Sequence, residues 1–104
     1  MNQSAYAIQF MKGSVHNTLE LSGNLTISHI ESVYKDLKGS IDFSKKTILN
    51  INQVKGIDLT CVQVLISLKK EFEHNGLPLE INLQLTDDQQ HLLDNAGFSS
   101  NFFK

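Results

Sequence analysis

The chain has no arginine: all nine of its basic residues are lysines, against eleven acidic ones, for a net charge of −2. The planar fork that grips phosphate or a guanine edge in two places is therefore missing. A near-neutral balance also supplies no electrostatic footprint for nucleic acid. Cysteine occurs once, at Cys61, so an internal disulfide and a cysteine-based metal cluster are both excluded. Within an apolar helix Cys61 reads as a small core hydrophobe, and only the nearby helix start argues for a reactive thiol. No apolar run approaches the roughly 20 residues of a membrane span. The opening MNQSAYAIQFMKG lacks the basic start and cleavage site of a secretory signal, so the expected location is cytoplasmic.

Enzyme signatures are missing too. The sequence contains no G-x-G-x-x-G, P-loop, H-E-x-x-H or G-x-S-x-G. His16, His29, His74 and His91 share no metal-ligand spacing and are expected on the surface. Asp87 and Asp88 fall in a first helical turn, where negative charge complements the dipole. No enzyme activity, cofactor or metal is expected.

What is present is the patterning of one domain spanning residues 1–104, with 40% hydrophobic content. Residues 5–12 form a first strand with Tyr6, Ile8 and Phe10 on one face, and residues 13–17 a hairpin loop. Residues 17–22 alternate through Leu19 and Leu21 and end on a turn signal, Gly23-Asn24. Ser28-x-x-Glu31 is a capping-box pattern opening a helix, Ile30, Val33, Tyr34 and Leu37 form its apolar stripe, and Gly39 closes it. Residues 47–52 are a strand that runs into a Gly-containing turn. Asp58 or Thr60 then caps a helix to about Asn75, stopped by Gly76 and Pro78. Residues 79–85 alternate strictly. Thr86-x-x-Gln89 is a second capping box, opening a short helix with Leu92, Leu93 and Ala96 that ends at Gly97. Phe98, Phe102 and Phe103 are left as a C-terminal apolar plug. The order β-β-α-β-α-β-α implies βαβ crossovers and a mixed four-stranded sheet flanked by helices, an α/β fold.

The helix from residue 59 to 75 carries the functional signal. Cys61, Leu65, Leu68 and Phe72 form a narrow core seam, with Val62 and Ile66 to one side of it and Val64 to the other. Its apolar arc is wide only in the first half, next to Asp58-Leu59-Thr60. That half is either deeply buried or an exposed patch for a partner. Leu59 is the kind of apolar residue that anchors an interface, and Asp58 is by default an N-cap.

These pieces together resemble a STAS domain, the family of bacterial anti-anti-sigma factors and of the cytoplasmic tails of sulfate transporters. The resemblance rests on Leu21-x-Gly23-Asn24-Leu25-Thr26-Ile27, Ile48-Leu49-Asn50-Ile51, Val54-x-x-Ile57-Asp58 and Val64-Leu65-Ile66-x-Leu68-Lys69-Lys70. Gly76-x-Pro78-Leu79 and Leu92-Leu93-x-x-Ala96-Gly97-Phe98 complete it. The set is most similar to the small stand-alone members found with chemotaxis or lipid-transport systems. It implies a non-enzymatic module that switches partners, docking an ATP-binding anti-sigma kinase through the loop and helix start around the Asp. Phosphorylation of the hydroxyl residue after the Asp then breaks that complex.

Two departures stand out. Leu59 fills the acceptor position, and Asn24 stands where members often carry an acidic residue. Thr60 is a weak, displaced acceptor, because one step along a helix rotates a side chain by about 100°. The partner surface implied is Asn24, Asp58, Leu59, Thr60, Val62 and Ile66, and the partner is an anti-sigma kinase-like protein or a transporter or chemotaxis component. A homodimer is compatible with this sequence. The alternatives are a nucleotide- or lipid-binding STAS domain, using backbone N–H groups at the helix start, or a STAS subunit of a lipid-transport ABC complex.

Overall fold

The computed structural model describes residues 5–97. Its elements are β1 (Tyr6–Met11), β2 (His16–Leu25), α1 (Ile30–Ser40), β3 (Lys46–Ile57), α2 (Leu59–His74), β4 (Leu79–Leu83) and α3 (Asp87–Asn95). The expected C-terminal plug, Phe98, Phe102 and Phe103, lies outside the described residues.

The four strands form one mixed sheet in the order β1-β2-β3-β4. β1 and β2 are an antiparallel hairpin, whereas β3 runs parallel to both β2 and β4. Each parallel step therefore needs a crossover, and α1 and α2 supply the two. Alternation decides which face they cover. Leu19, Leu21 and Leu25 of β2, Leu49, Ile51 and Ile57 of β3, and Leu79 and Ile81 of β4 are all buried. Ile30, Val33 and Leu37 of α1 and Cys61, Val62, Leu65, Leu68 and Phe72 of α2 close over them. Burial of this set from water is the main stabilising contribution, at about 1.5–3 kcal/mol for each large apolar side chain. The opposite face carries Glu20, Asn50 and Asn82, whose Cα atoms are paired across the three strands.

The helices also hold each other. Tyr34 Oη on α1 donates to Glu71 Oε1 on α2 at 2.8 Å, and Lys38 Nζ lies 3.2 Å from the same oxygen. The Tyr34 hydroxyl bond, against a smaller desolvation effect and helped by Lys38, holds the Glu71 carboxyl below its ordinary value. Two core positions are polar: Asn17 and Thr47 are register partners and fully buried. Among the described residues, Asn17 Nδ2 and Thr47 Oγ1 make no hydrogen bond.

Helix ends confirm some expectations and correct others. The Thr86 capping box forms as expected. Gly76, at φ 71°, ends α2, with Gly76 N–H bonded to Glu73 O and Leu77 N–H to Phe72 O. That is the Schellman pattern in which a left-handed residue lets the chain satisfy the last carbonyls. The Ser28 capping box does not form. α1 begins at Ile30 with His29 as N-cap, and no side chain caps it. The Thr26 carbonyl accepts from both His29 N–H and Ile30 N–H, so a turn from Thr26 leads into the helix and the cap falls at His29 rather than Ser28. Gly39 is not the helix stop either, because α1 continues to Ser40 and ends at an extended Ile41.

The largest corrections concern the strand ends. Gly23-Asn24 is not a turn and residues 53–57 are not a loop; both lie inside strands. Each strand stays paired by absorbing an irregularity. β2 and β3 shift register between Leu21 and Asn24, Gly23 adopts φ 103° and Gln53 adopts φ 48°. A bulge of this kind shows in sequence as a turn signal, because both use left-handed backbone. β4 pairs with β3 only as far as Ile51, so β3 runs on to Ile57 beside β2 alone. On its other side β2 is still bordered by β1, through Tyr6–Gly23 and the Asn24 N–H to Ala5 O bond, and the two strands end at the paired, buried Leu25 and Ile57.

Candidate functional site

The carboxyl ends of β2 and β3 bring two loops side by side: residues 26–29, entering α1, and Asp58, entering α2. Both lie at the carboxyl ends of parallel strands, where open α/β sheets commonly place their working residues. Asp58 joins the loops. It is the N-cap of α2, and its Oδ1 accepts from Thr60 N–H at 3.0 Å and from the Thr60 hydroxyl in a short bond. Its Oδ2 accepts from Ile27 N–H at 2.9 Å. Desolvation raises the Asp58 pKa, but the bonds from the Thr60 hydroxyl and from the Ile27, Thr60 and Cys61 N–H groups together outweigh it. The carboxyl is therefore held below its ordinary value.

Asn24 repeats the motif on the neighbouring strand. Its Oδ1 accepts from Thr26 N–H at 3.0 Å and from the Thr26 hydroxyl at 2.6 Å. Gly56 is its register partner, and a Cβ at Gly56 would come to 3.1 Å from Thr26 Cγ2. The small residue lets the Asn24 loop sit against β3.

The expected site residues separate into three groups. Asn24, Asp58 and Thr60 are brought together at the junction, half-buried and hydrogen-bonded, and Leu59 is exposed beside them. Ile66 is half-buried, seven residues along α2 from Leu59 and so on the same helical face, about 10 Å further on. Val62 is the exception: it is fully buried, one turn from Leu59 but facing the sheet. The expected surface position for Val62 is corrected to a core position beneath the surface. Cys61 is buried as expected, and burial, with a smaller push from the Asp58 charge, moves its thiol pKa up to about 12.

Ile27 completes the surface, and its alternation pattern did not mark it. It is 70% exposed, and its backbone meets the carboxylate of Asp58, the residue directly before Leu59, which is 38% exposed. Its N–H is fixed by that carboxylate, so the backbone carrying it is held in place. A half-signal was available, since an apolar residue directly after a strand and before a helix stripe has no place in either pattern. Gln63 is exposed on α2 between Leu59 and Ile66.

The fold is similar to that of a solved anti-sigma-factor antagonist STAS domain from Rhodobacter sphaeroides. The match has a TM-score of 0.63 at 14% identity and covers 76% of this chain and 87% of that one. The family model for the STAS domain matches residues 11–104, and the chain belongs to that family. Among curated proteins, none matches the chain in sequence.

Proposed function

We propose that this protein is a non-enzymatic regulatory module that docks a protein partner through the Asp58 junction, without standard phosphorylation. One observation carries the reading: two exposed apolar side chains, Ile27 and Leu59, flank a carboxylate already bonded to both loops. An apolar pair on backbone held in place loses little freedom on binding, which favours a docking surface. Asn24, Thr60 and Ile66 border it. The family's way of working points to an anti-sigma, ATP-binding kinase-like partner or to a transporter or chemotaxis component, in the cytoplasm.

The Thr60 hydroxyl speaks against a phospho-switch at this position. It donates to Asp58, and a phosphoryl group there would set negative charge against that carboxylate. The small-ligand reading is weakened by the same geometry. The N–H groups of Ile27 and Thr60, which would hold a phosphate or a lipid headgroup, already serve the protein's own carboxylate. A subunit of a lipid-transport ABC complex remains a special case of docking.

The test is titration of a purified kinase or transporter ATPase encoded beside this chain with wild type, Leu59→Asp and Ile27→Asp. Both substitutions are expected to weaken binding at least tenfold. Equal affinity for all three proteins would remove the junction from consideration.

A further inference from the structure

The outer edge of β1 carries the second exposed feature of the fold, remote in kind from the junction. Asn24 N–H bonds to Ala5 O, and the β1–β2 register continues that ladder. In an antiparallel pair the bonded positions alternate, so Ala7, Gln9 and Met11 direct their backbone groups at β2. The N–H and C=O groups of Tyr6, Ile8 and Phe10 therefore point outward, along an edge that pairs with no strand among the described residues. Sheets usually guard such an edge with a charge or a proline, and YAIQFM contains neither. α1 touches β1 where Tyr6 Oη donates to Asp36 Oδ2 at 2.5 Å, and around that contact lies an open groove bordered by Ala5, Ala7 and Ile8 on one side and by His29, Lys35 and Ser40 on the other.

We propose that a second copy of this chain occupies the edge, β1 against β1 in antiparallel register about a twofold axis at Ile8. This register is singled out by the backbone itself. It opposes Ile8 with Ile8 and Tyr6 with Phe10, so all three outward-facing residues exchange paired bonds with their partners. It also keeps Tyr6, Ile8 and Phe10 of both copies on the helix-covered face, which continues each sheet into the other. Charge agrees with a twofold: the strand has none, and the adjoining α1 flank offers one of each sign in Lys35 and Asp36. Phe10, 40% exposed in the single chain, gains a cross-strand aromatic partner in Tyr6. The proposal is independent of the docking reading, which uses a different surface.

Sedimentation velocity over about 1–500 µM tests it, with cross-linking through Ile8→Cys. In the proposed register the two Ile8 Cα atoms lie about 5.5 Å apart, within disulfide reach. The mean mass is expected to rise from 11.7 kDa toward about twice that value with concentration. Ile8→Cys should form a disulfide dimer under mild oxidation while Lys70→Cys, on the surface of α2, does not. Phe10→Lys, checked for a native far-UV spectrum, should weaken association at least tenfold. A wild-type protein that stays at one chain's mass throughout would overturn the proposal, as expected if the edge instead receives an extended strand of another protein. A dimer that persists in Phe10→Lys, or that cross-links through Lys70→Cys and not Ile8→Cys, would overturn it equally.

Discussion

Asp58 does three things with one carboxylate: it caps α2, it orients Thr60, and it holds the loop carrying Ile27. Removing it by Asp58→Ala loses a cap and leaves Ile27 N–H without its acceptor, an expected loss of about 1–3 kcal/mol in urea unfolding. Its depressed pKa fixes the sign of the pH effect. The stabilisation is present above the unfolded carboxyl value of about 3.9 and is lost as pH falls through the lower folded value. Asp58→Asn still caps but cannot titrate, so its stability should decline less steeply than wild type below about pH 4. Parallel declines would show that the Asp58 bonds contribute little. Thr47 offers a change in the other direction. Its Oγ1 is buried without a hydrogen bond, so Thr47→Val is expected to hold or raise the melting temperature. Cys61 should resist thiol reagents at pH 8 until the protein is unfolded, because its thiol is both buried and held protonated.

At the scale of elements, the β2 bulge is the most exacting feature. A Cβ on Gly23 would lie 2.5 Å from Ala5 O and 2.6 Å from Tyr6 Cα, at a φ that L-residues rarely adopt. Gly23→Ala is therefore expected to cost at least about 1–3 kcal/mol and to loosen β1, visible as faster amide exchange across Tyr6–Met11. Much of the element layer was legible beforehand. Period-two alternation marked the strands and the Gly76 and Thr86 signals marked helix ends, since each reflects a local backbone rule. The misses have two causes, one local and one tertiary. At the start of α1 a turn in which Thr26 O accepts from His29 and Ile30 N–H moves the cap to His29, and Gly23-Asn24 became a bulge because β2 had a neighbour to keep pairing with.

For the whole molecule, the question is whether surface and core can be told apart around one helix. Leu59→Asp should leave unfolding free energy within about 0.5 kcal/mol of wild type, as exposed substitutions usually do. Leu65→Ala, on the buried side of the same helix, should cost about 2–5 kcal/mol. Comparable losses in the two would place Leu59 inside the packing and undercut its role at a surface. The candidate site was legible as a neighbourhood, since Asp58 and the first turns of α2 were already marked in the sequence. Its boundaries were not. Helical angle placed Val62 beside Ile66, but the depth of α2 over the sheet buries the first and half-exposes the second.

The shared end of β2 and β3 has a mechanical consequence. Beyond Ile51 β3 has no β4 alongside, but Gln89 of α3 donates to Val54 O at 2.7 Å, β1 still borders β2 at Gly23, and Leu25 and Ile57 are anchored in the core. Both junction loops leave from that anchored pair and are tied to each other through Asp58. Ile27 and Leu59 are therefore mounted on one stiff base, and a load on either loop is shared by both.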